Sequence, residues 1–254
     1  LLAVKSTLIR TWIVELVNKK IKPSSIKRKI SALKSFYKYN QKIGNIKFNP
    51  ADKINSPKNP ERLPKFVEQH KINDLFENAD KYFATTFEGK QEQLIVDMLY
   101  STGMRRQELI DLKWTDINFG SNQVKVTGKG NKQRLIPIGN ELIASLQVFQ
   151  QTQKENLKNI PSANFVFLTE NGNQLYPNYV YRLVKKHIGN CSTVEKKSPH
   201  VLRHSFATHM SNNGAKLNDI KELLGHASLA STQVYTHNTI EQLKEIYKLS
   251  HPKA

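Results

Sequence analysis

Residues 123–137, QVKVTGKGNKQRLIP, decide the fold class. Val124 and Val126 alternate with Gln123, Lys125 and Thr127, the period of a strand that buries one face. Gly128-Lys129-Gly130-Asn131-Lys132 is rich in turn formers, and Gln133 to Pro137 reads as the returning strand. The segment is therefore a hairpin with a lysine near its tip. On both sides of it apolar residues recur at steps of three and four. Residues 91–100, 105–112, 141–157, 179–188, 199–211, 218–224 and 231–247 read as helices. One more short strand is expected at 164–169, from the run Phe165, Val166, Phe167 and Leu168. The expected class is mainly α, of the α+β kind: a mostly helical domain with a small antiparallel β element.

Towards the amino terminus the pattern changes. Pro57, Pro60 and Pro64 fall within eight positions and cannot continue a helix, so 57–66 reads as a linker between a unit at 1–56 and a larger one at 67–254. In the first unit Ile26, Ile30, Leu33 and Phe36 or Tyr37 form an apolar stripe, with Lys27, Arg28, Lys29, Lys34 and Lys38 between them. A helix start is expected at Pro23-Ser24-Ser25. Leu8, Trp12, Leu16 and Val17 form a second such stripe.

Charge narrows the function. Lys plus Arg number 39 against 21 Asp plus Glu, a net of +18. Residues 1–60 hold 14 basic and 2 acidic residues, so two-thirds of the excess lies in these first sixty positions. Such a field favours a polyanion, nucleic acid before anionic membrane. No apolar run reaches the length of a membrane-spanning helix. The lone Cys191 excludes a disulfide framework and a cysteine-rich zinc site, and a reducing cytoplasm is the expected setting. The chain opens on Leu1 and not on Met, so a preceding piece is expected.

Three stretches carry candidate chemistry. In Ser198-Pro199-His200-Val201-Leu202-Arg203-His204, serine and proline suit a helix N-cap and first position. His200 and Arg203 then share one face at the positive end of the helix dipole, where a phosphate is favoured. His200 and His204 have the spacing of a zinc pair, but Val201 stands where a metalloprotease needs Glu, so no metal is expected. In Thr102-Gly103-Met104-Arg105-Arg106-Gln107-Glu108-Leu109, Glu108 is placed to orient the Arg105 guanidinium. In Leu223-Leu224-Gly225-His226 and Thr232-Gln233-Val234-Tyr235, a tyrosine follows a histidine by nine residues. A phenol becomes a nucleophile only where cations stabilise its loss of a proton.

Taken in order, TGMRRQEL, VTGKGNKQRLIP, SPHVLRHSFATHM, LLGHASLASTQVYTH and the closing HPKA resemble the tyrosine recombinase, or phage integrase, family, and within it the bacterial Xer recombinases of the XerC and XerD type. The likeness runs from about residue 7 to the end. It implies an active site of Arg105, Lys129, His200, Arg203, His226 and Tyr235. It implies cleavage and rejoining of DNA through a 3′-phosphotyrosyl link, with strands exchanged between two duplex sites and neither metal nor other cofactor. The biological outcome would be chromosome dimer resolution or the integration and excision of a mobile element. The implied partners are double-stranded DNA carrying a specific site, a homo- or hetero-tetramer with exchange of the C-terminal helix, and an activator protein. For that exchange Ile240, Leu243, Ile246, Tyr247 and Leu249 supply an apolar stripe. The resemblance also makes 1–56 a helical DNA core-binding domain holding only the later helices of a four-helix bundle. Two alternatives stay open on the sequence: a type IB topoisomerase, which relaxes DNA without exchanging partners, and an inactive sequence-specific DNA-binding protein.

Overall fold

The computed structural model describes residues 2–57, 66–128, 130–156, 164–225 and 237–254, the side chains of the last stretch from Ile240 on. Its contacts divide the chain into two units, Leu1–Leu63 and Pro64–Ala254.

The first unit is built on α1 (Ser6–Asn18) and α2 (Pro23–Lys42). Pro23 occupies the opening position of α2, where its missing N–H costs nothing. The two helices close over Ile9, Leu16, Ile26, Ile30 and Tyr37, with Ala51 and Ile54 of the following turn completing the cluster. Leu33 and Trp12 pack at its edge. Two expected members of the stripes are corrected: Leu8 and Val17 are about half exposed, and Ile9 takes the inward position on α1. Residues 8, 12 and 16 and residues 9, 13 and 16 are both helical stripes, and the second one meets α2. Tyr37 rather than Phe36 is the buried aromatic. Lys27, Arg28, Lys29 and Lys38 lie on the exposed side of α2.

The second unit wraps around α5 (Phe87–Thr102), whose residues 94–102 are all buried. Before it come α3 (Gln69–Glu77) and the single turn α4 (Ala79–Tyr82). After it come α6 (Arg106–Ile110), a 3-10 turn (Trp114–Asp116), and β1 (Ile117–Asn118), β2 (Gln123–Thr127) and β3 (Gln133–Pro137). Then follow α7 (Asn140–Asn156), α8 (Pro177–Cys191), α9 (Pro199–Asn212), α10 (Leu217–Leu224) and α11 (His237–Ser250). The mainly α class with a small antiparallel sheet is what the structure contains. The sheet order is β1-β2-β3, and β2 pairs β3 in the register Val124 to Ile136 and Val126 to Arg134.

The third strand expected at 164–169 does not form. Phe165 and Leu168 each make a single bridge, to Lys113 and Gln174, and the sheet's third member is β1. Side-chain amides occupy the place of a partner strand. Gln91 of α5 donates to the Leu168 carbonyl at 2.8 Å and accepts from its N–H at 3.1 Å, while Gln153 of α7 donates to the Val166 carbonyl at 3.0 Å.

Two close approaches fix how the helices meet. Gly103 ends α5 at φ +57, and a Cβ there would lie 2.7 Å from Phe206 of α9 and 2.8 Å from Leu224 of α10. The chain end returns to the core: a Cβ on Gly139 would lie 2.4 Å from the Lys253 carbonyl. The Lys253 ammonium pairs with Asp97, and His251 stacks on Tyr247 with ring centroids 4.7 Å apart. Among the described residues no helix is long and apolar enough to cross a membrane.

Candidate active site

The site starts from a local device. Arg105 stands at the N-cap of α6, and Glu108, one turn on, reaches back to accept its backbone N–H at 2.7 Å. The other oxygen of Glu108 accepts from Arg105 Nη1 at 2.8 Å. The Glu108 side chain is 3% exposed and that of Arg105 is 41% exposed, so a buried carboxylate holds a guanidinium that still faces solvent.

A third residue, absent from the sequence-based set, completes the arrangement. The period of β3 puts Arg134 on the same buried face as Ile136. Its Nη1 and Nη2 donate to the two Glu108 oxygens, each at 2.8 Å. Burial by itself would raise the Glu108 carboxyl. The Arg134 hydrogen bonds and charge, joined by the backbone and side-chain hydrogen bonds of Arg105, more than reverse this and hold it at about 2.

Arg203 is brought in by α9, which begins at Pro199 with Ser198 as N-cap, as the sequence predicts, although the serine side chain makes no capping bond. Its Nη1 donates to the Gly103 carbonyl and its Nη2 to the Leu224 carbonyl, both at 2.7 Å. The end of α10 serves all three arginines. The carbonyls of Leu223, Leu224 and Gly225 accept from Arg134 Nε at 2.8 Å, Arg203 Nη2 at 2.7 Å and Arg105 Nη2 at 3.3 Å. These are carbonyls that a helix end leaves without intrahelical partners, and they carry the negative end of its dipole. Burial first, then the charges of Arg105 and Arg134, draw Arg203 down to about 10, with Glu108 opposing. Two guanidiniums, of Arg105 and Arg134, thus share one carboxylate with the Arg203 guanidinium held beside them on backbone carbonyls, so three positive charges face one negative and two are left uncompensated. Such an excess in a partly desolvated place suits an anion with several oxygens.

Of the six residues expected from the sequence, the structure gathers Arg105 and Arg203. It sets His200 on the exposed first turn of α9, one turn before Arg203. Lys129, His226 and Tyr235 lie outside the described residues, but the residue just before each of the first two lies at the cluster. A Cβ on Gly128 would lie 3.4 Å from Glu108 and 3.7 Å from Arg105, so the hairpin enters its tip beside these groups. Gly225, whose carbonyl accepts from Arg105, leads directly to His226. Tyr247 is buried in the core, and burial pushes its phenol well above the ordinary range, so it is no rival nucleophile. Arg134 is the residue that sequence reasoning missed. The available signal was an arginine on the inward face of a strand, which calls for a buried acid.

Fold and site together define a mostly helical protein whose arginines, beside a β-hairpin, are arranged for a phosphate group. The model of the phage integrase family matches residues 65–242, and that of the phage integrase N-terminal SAM-like domain matches 1–42. The chain is 37% identical to the tyrosine recombinase XerC of Chlorobaculum parvum, over 97% of this chain and 78% of that one. It is also 37% identical to the tyrosine recombinase XerD of Listeria monocytogenes, over 91% and 77% respectively. Among solved structures, the XerH site-specific recombinase in a post-cleavage complex with a palindromic difH substrate shares the fold. Its TM-score is 0.74 at 22% identity, with 96% of this chain and 71% of that one covered. The chain belongs to the phage integrase family and is a site-specific tyrosine recombinase that acts on DNA.

Proposed function

We propose that this recombinase cleaves and rejoins DNA with Tyr235 as nucleophile and Arg105, Lys129, His200, Arg203 and His226 around the scissile phosphate. The observation that carries this reading is the sharing of one carboxylate, Glu108, by Arg105 and Arg134 beside Arg203, which leaves positive charge for the two non-bridging oxygens. His226 adds a hydrogen bond to the same group. The phenolic oxygen of Tyr235 bonds to phosphorus as the bond to the 5′-oxygen breaks, giving a 3′-phosphotyrosyl link and a 5′-hydroxyl. His200 exchanges the phenolic proton as a general acid and base. Lys129 gives a proton to the departing 5′-oxygen. A 5′-hydroxyl of a partner strand then reverses the step, and the bond count is conserved.

In this reading residues 1–56 lie along the DNA backbone through the lysine-rich face of α2, 57–66 link the two units, and 67–254 do the chemistry. The match of 1–42 to the N-terminal domain of the family supports the first part. The enzyme works in the cytoplasm as a homo- or hetero-tetramer on its target, with an activator protein where one is required. In the single chain α11 buries Leu243 and Tyr247 in its own unit. Exchange then means that α11 makes the same contacts on the neighbouring protomer. The recombinase relatives do not favour a relaxing topoisomerase or an inactive binding protein.

The test is Tyr235→Phe on a nicked target duplex. Binding is retained and no covalent protein–DNA adduct survives a denaturing gel. An adduct formed by this variant at the wild-type level refutes the assignment of the nucleophile.

A further inference from the structure

We infer that Arg134 is a positioning residue of the cleavage reaction: its two-pronged grip on Glu108 sets the guanidinium of Arg105, and its Nε–H holds the end of α10, which leads to His226. The inference rests on the reading above that Arg105 faces the scissile phosphate.

The geometry of Glu108 makes the argument. A carboxylate offers about four lone-pair sites. Here one oxygen accepts from Arg105 Nη1 and Arg134 Nη1, the other from the Arg105 N–H and Arg134 Nη2. With every site taken, the carboxylate plane cannot turn, and Arg105 is held by both its backbone and its side chain. Sharing also limits neutralisation, because a carboxylate divided between two guanidiniums leaves Arg105 with more of its charge for substrate. Removing Arg134 frees two lone pairs and lets Glu108 close on Arg105 alone.

The same side chain spans the site. Arg134 Nε donates to the Leu223 carbonyl at 2.8 Å, and a Cβ on Gly225 would lie 2.9 Å from Arg134 Cδ. Arg134 belongs to β3, the return strand of the hairpin that carries Lys129. One buried guanidinium, 5% exposed, thus ties the lysine hairpin, the Arg105 turn and the approach to His226. Stability alone is a weak reason for such a residue, since well-packed apolar groups often replace buried ion pairs without loss. A lysine cannot reproduce it, being one point of charge that does not span two carboxylate oxygens.

The test is a double-mutant cycle on single-turnover cleavage of a nicked duplex, using Arg134→Lys, Arg105→Ala and the double variant. Affinity for uncleaved DNA and the melting temperature are measured alongside. Arg134→Lys slows cleavage about 10- to 100-fold, the cost of displacing a positioned group by about an ångström, while affinity changes less than about threefold. In the double variant the loss does not multiply: it cleaves within about threefold of Arg105→Ala alone. On a neutral methylphosphonate at the scissile position the Arg134→Lys deficit shrinks, which a loosened fold would not produce. Multiplied losses, or wild-type cleavage by Arg134→Lys, overturn the inference and leave the active-site reading standing. Wild-type cleavage by Arg105→Ala overturns both. Arg134→Gln, which keeps side-chain hydrogen bonding without charge, is carried through the same cycle and decides the matter if the lysine variant folds poorly.

Discussion

His251 offers a quantitative test of how the chain end is held. It is 5% exposed, stacked on Tyr247, and faces Phe206 and Tyr100 at centroid distances of 5.3 Å. Its Nδ1 accepts the Lys253 N–H at 3.1 Å. Burial first, then the nearby Lys253 and His209, bring its pKa down to about 3, against 6.5 for an exposed imidazole. The folded protein therefore keeps this ring neutral through the range in which the unfolded chain takes up a proton. Between about pH 6.5 and pH 3 the unfolded state binds more protons, so stability falls as pH falls. From pH 7.5 to pH 5.5 this one group removes about 1.4 kcal/mol, by proton linkage to an unfolded pKa of 6.5. His209, also lowered by burial, acts in the same direction, whereas Glu108, held at about 2, acts mainly below about pH 4.5. The perturbation is His251→Phe, which keeps the stack and cannot titrate. Urea unfolding followed by circular dichroism at the two pH values gives the readout. The wild type loses about 1.4 kcal/mol more than the variant between them. Equal losses in the two proteins would show that the ring is not held neutral, and the account of the docked chain end would fail.

Two further outcomes are expected. Gly103→Ala places a methyl 2.7 Å from Phe206 at a left-handed residue whose carbonyl holds Arg203, so it lowers stability by about 2–4 kcal/mol in urea titration. It slows cleavage more than about tenfold where the variant is still folded; wild-type stability would contradict the close packing of α5, α9 and α10. Lys129→Ala slows cleavage of ordinary DNA but much less that of a substrate with sulfur at the 5′-leaving position, which departs without a proton; equal slowing on both substrates in a gel assay would remove Lys129 from that role.

Much of the fold is legible along the chain because its signals are local. The hairpin at 123–137 follows from two-residue alternation broken by glycines, and α9 from Ser198-Pro199 ahead of a periodic run. What escapes is set by partners far away in sequence. The run at 164–169 has strand composition, but Gln91, 77 positions away, satisfies the Leu168 backbone. β1 is two residues long and exists only through its pairing with β2. On α1 two overlapping stripes were open, and only the position of α2 favours Ile9 over Leu8. The site divides in the same way. Arg105 with Glu108 and His200 with Arg203 are legible because three-residue spacing puts each pair on one turn. Arg134 is so only in part: its place on the inward face of a strand calls for a buried acid, but nothing local says that the acid is Glu108, 26 residues away.

The helix end that receives all three guanidiniums sets an unusual rule for variation. Leu223, Leu224 and Gly225 contribute backbone oxygens, which any residue able to follow the same path supplies equally well. Outside the buried Ile220, Leu223 and Leu224, spelling can therefore drift along α10 while its length cannot. Adding or deleting one residue in Leu217–Leu224 would rotate the last carbonyls by about 100° and shift them by about 1.5 Å, aiming each at the wrong arginine.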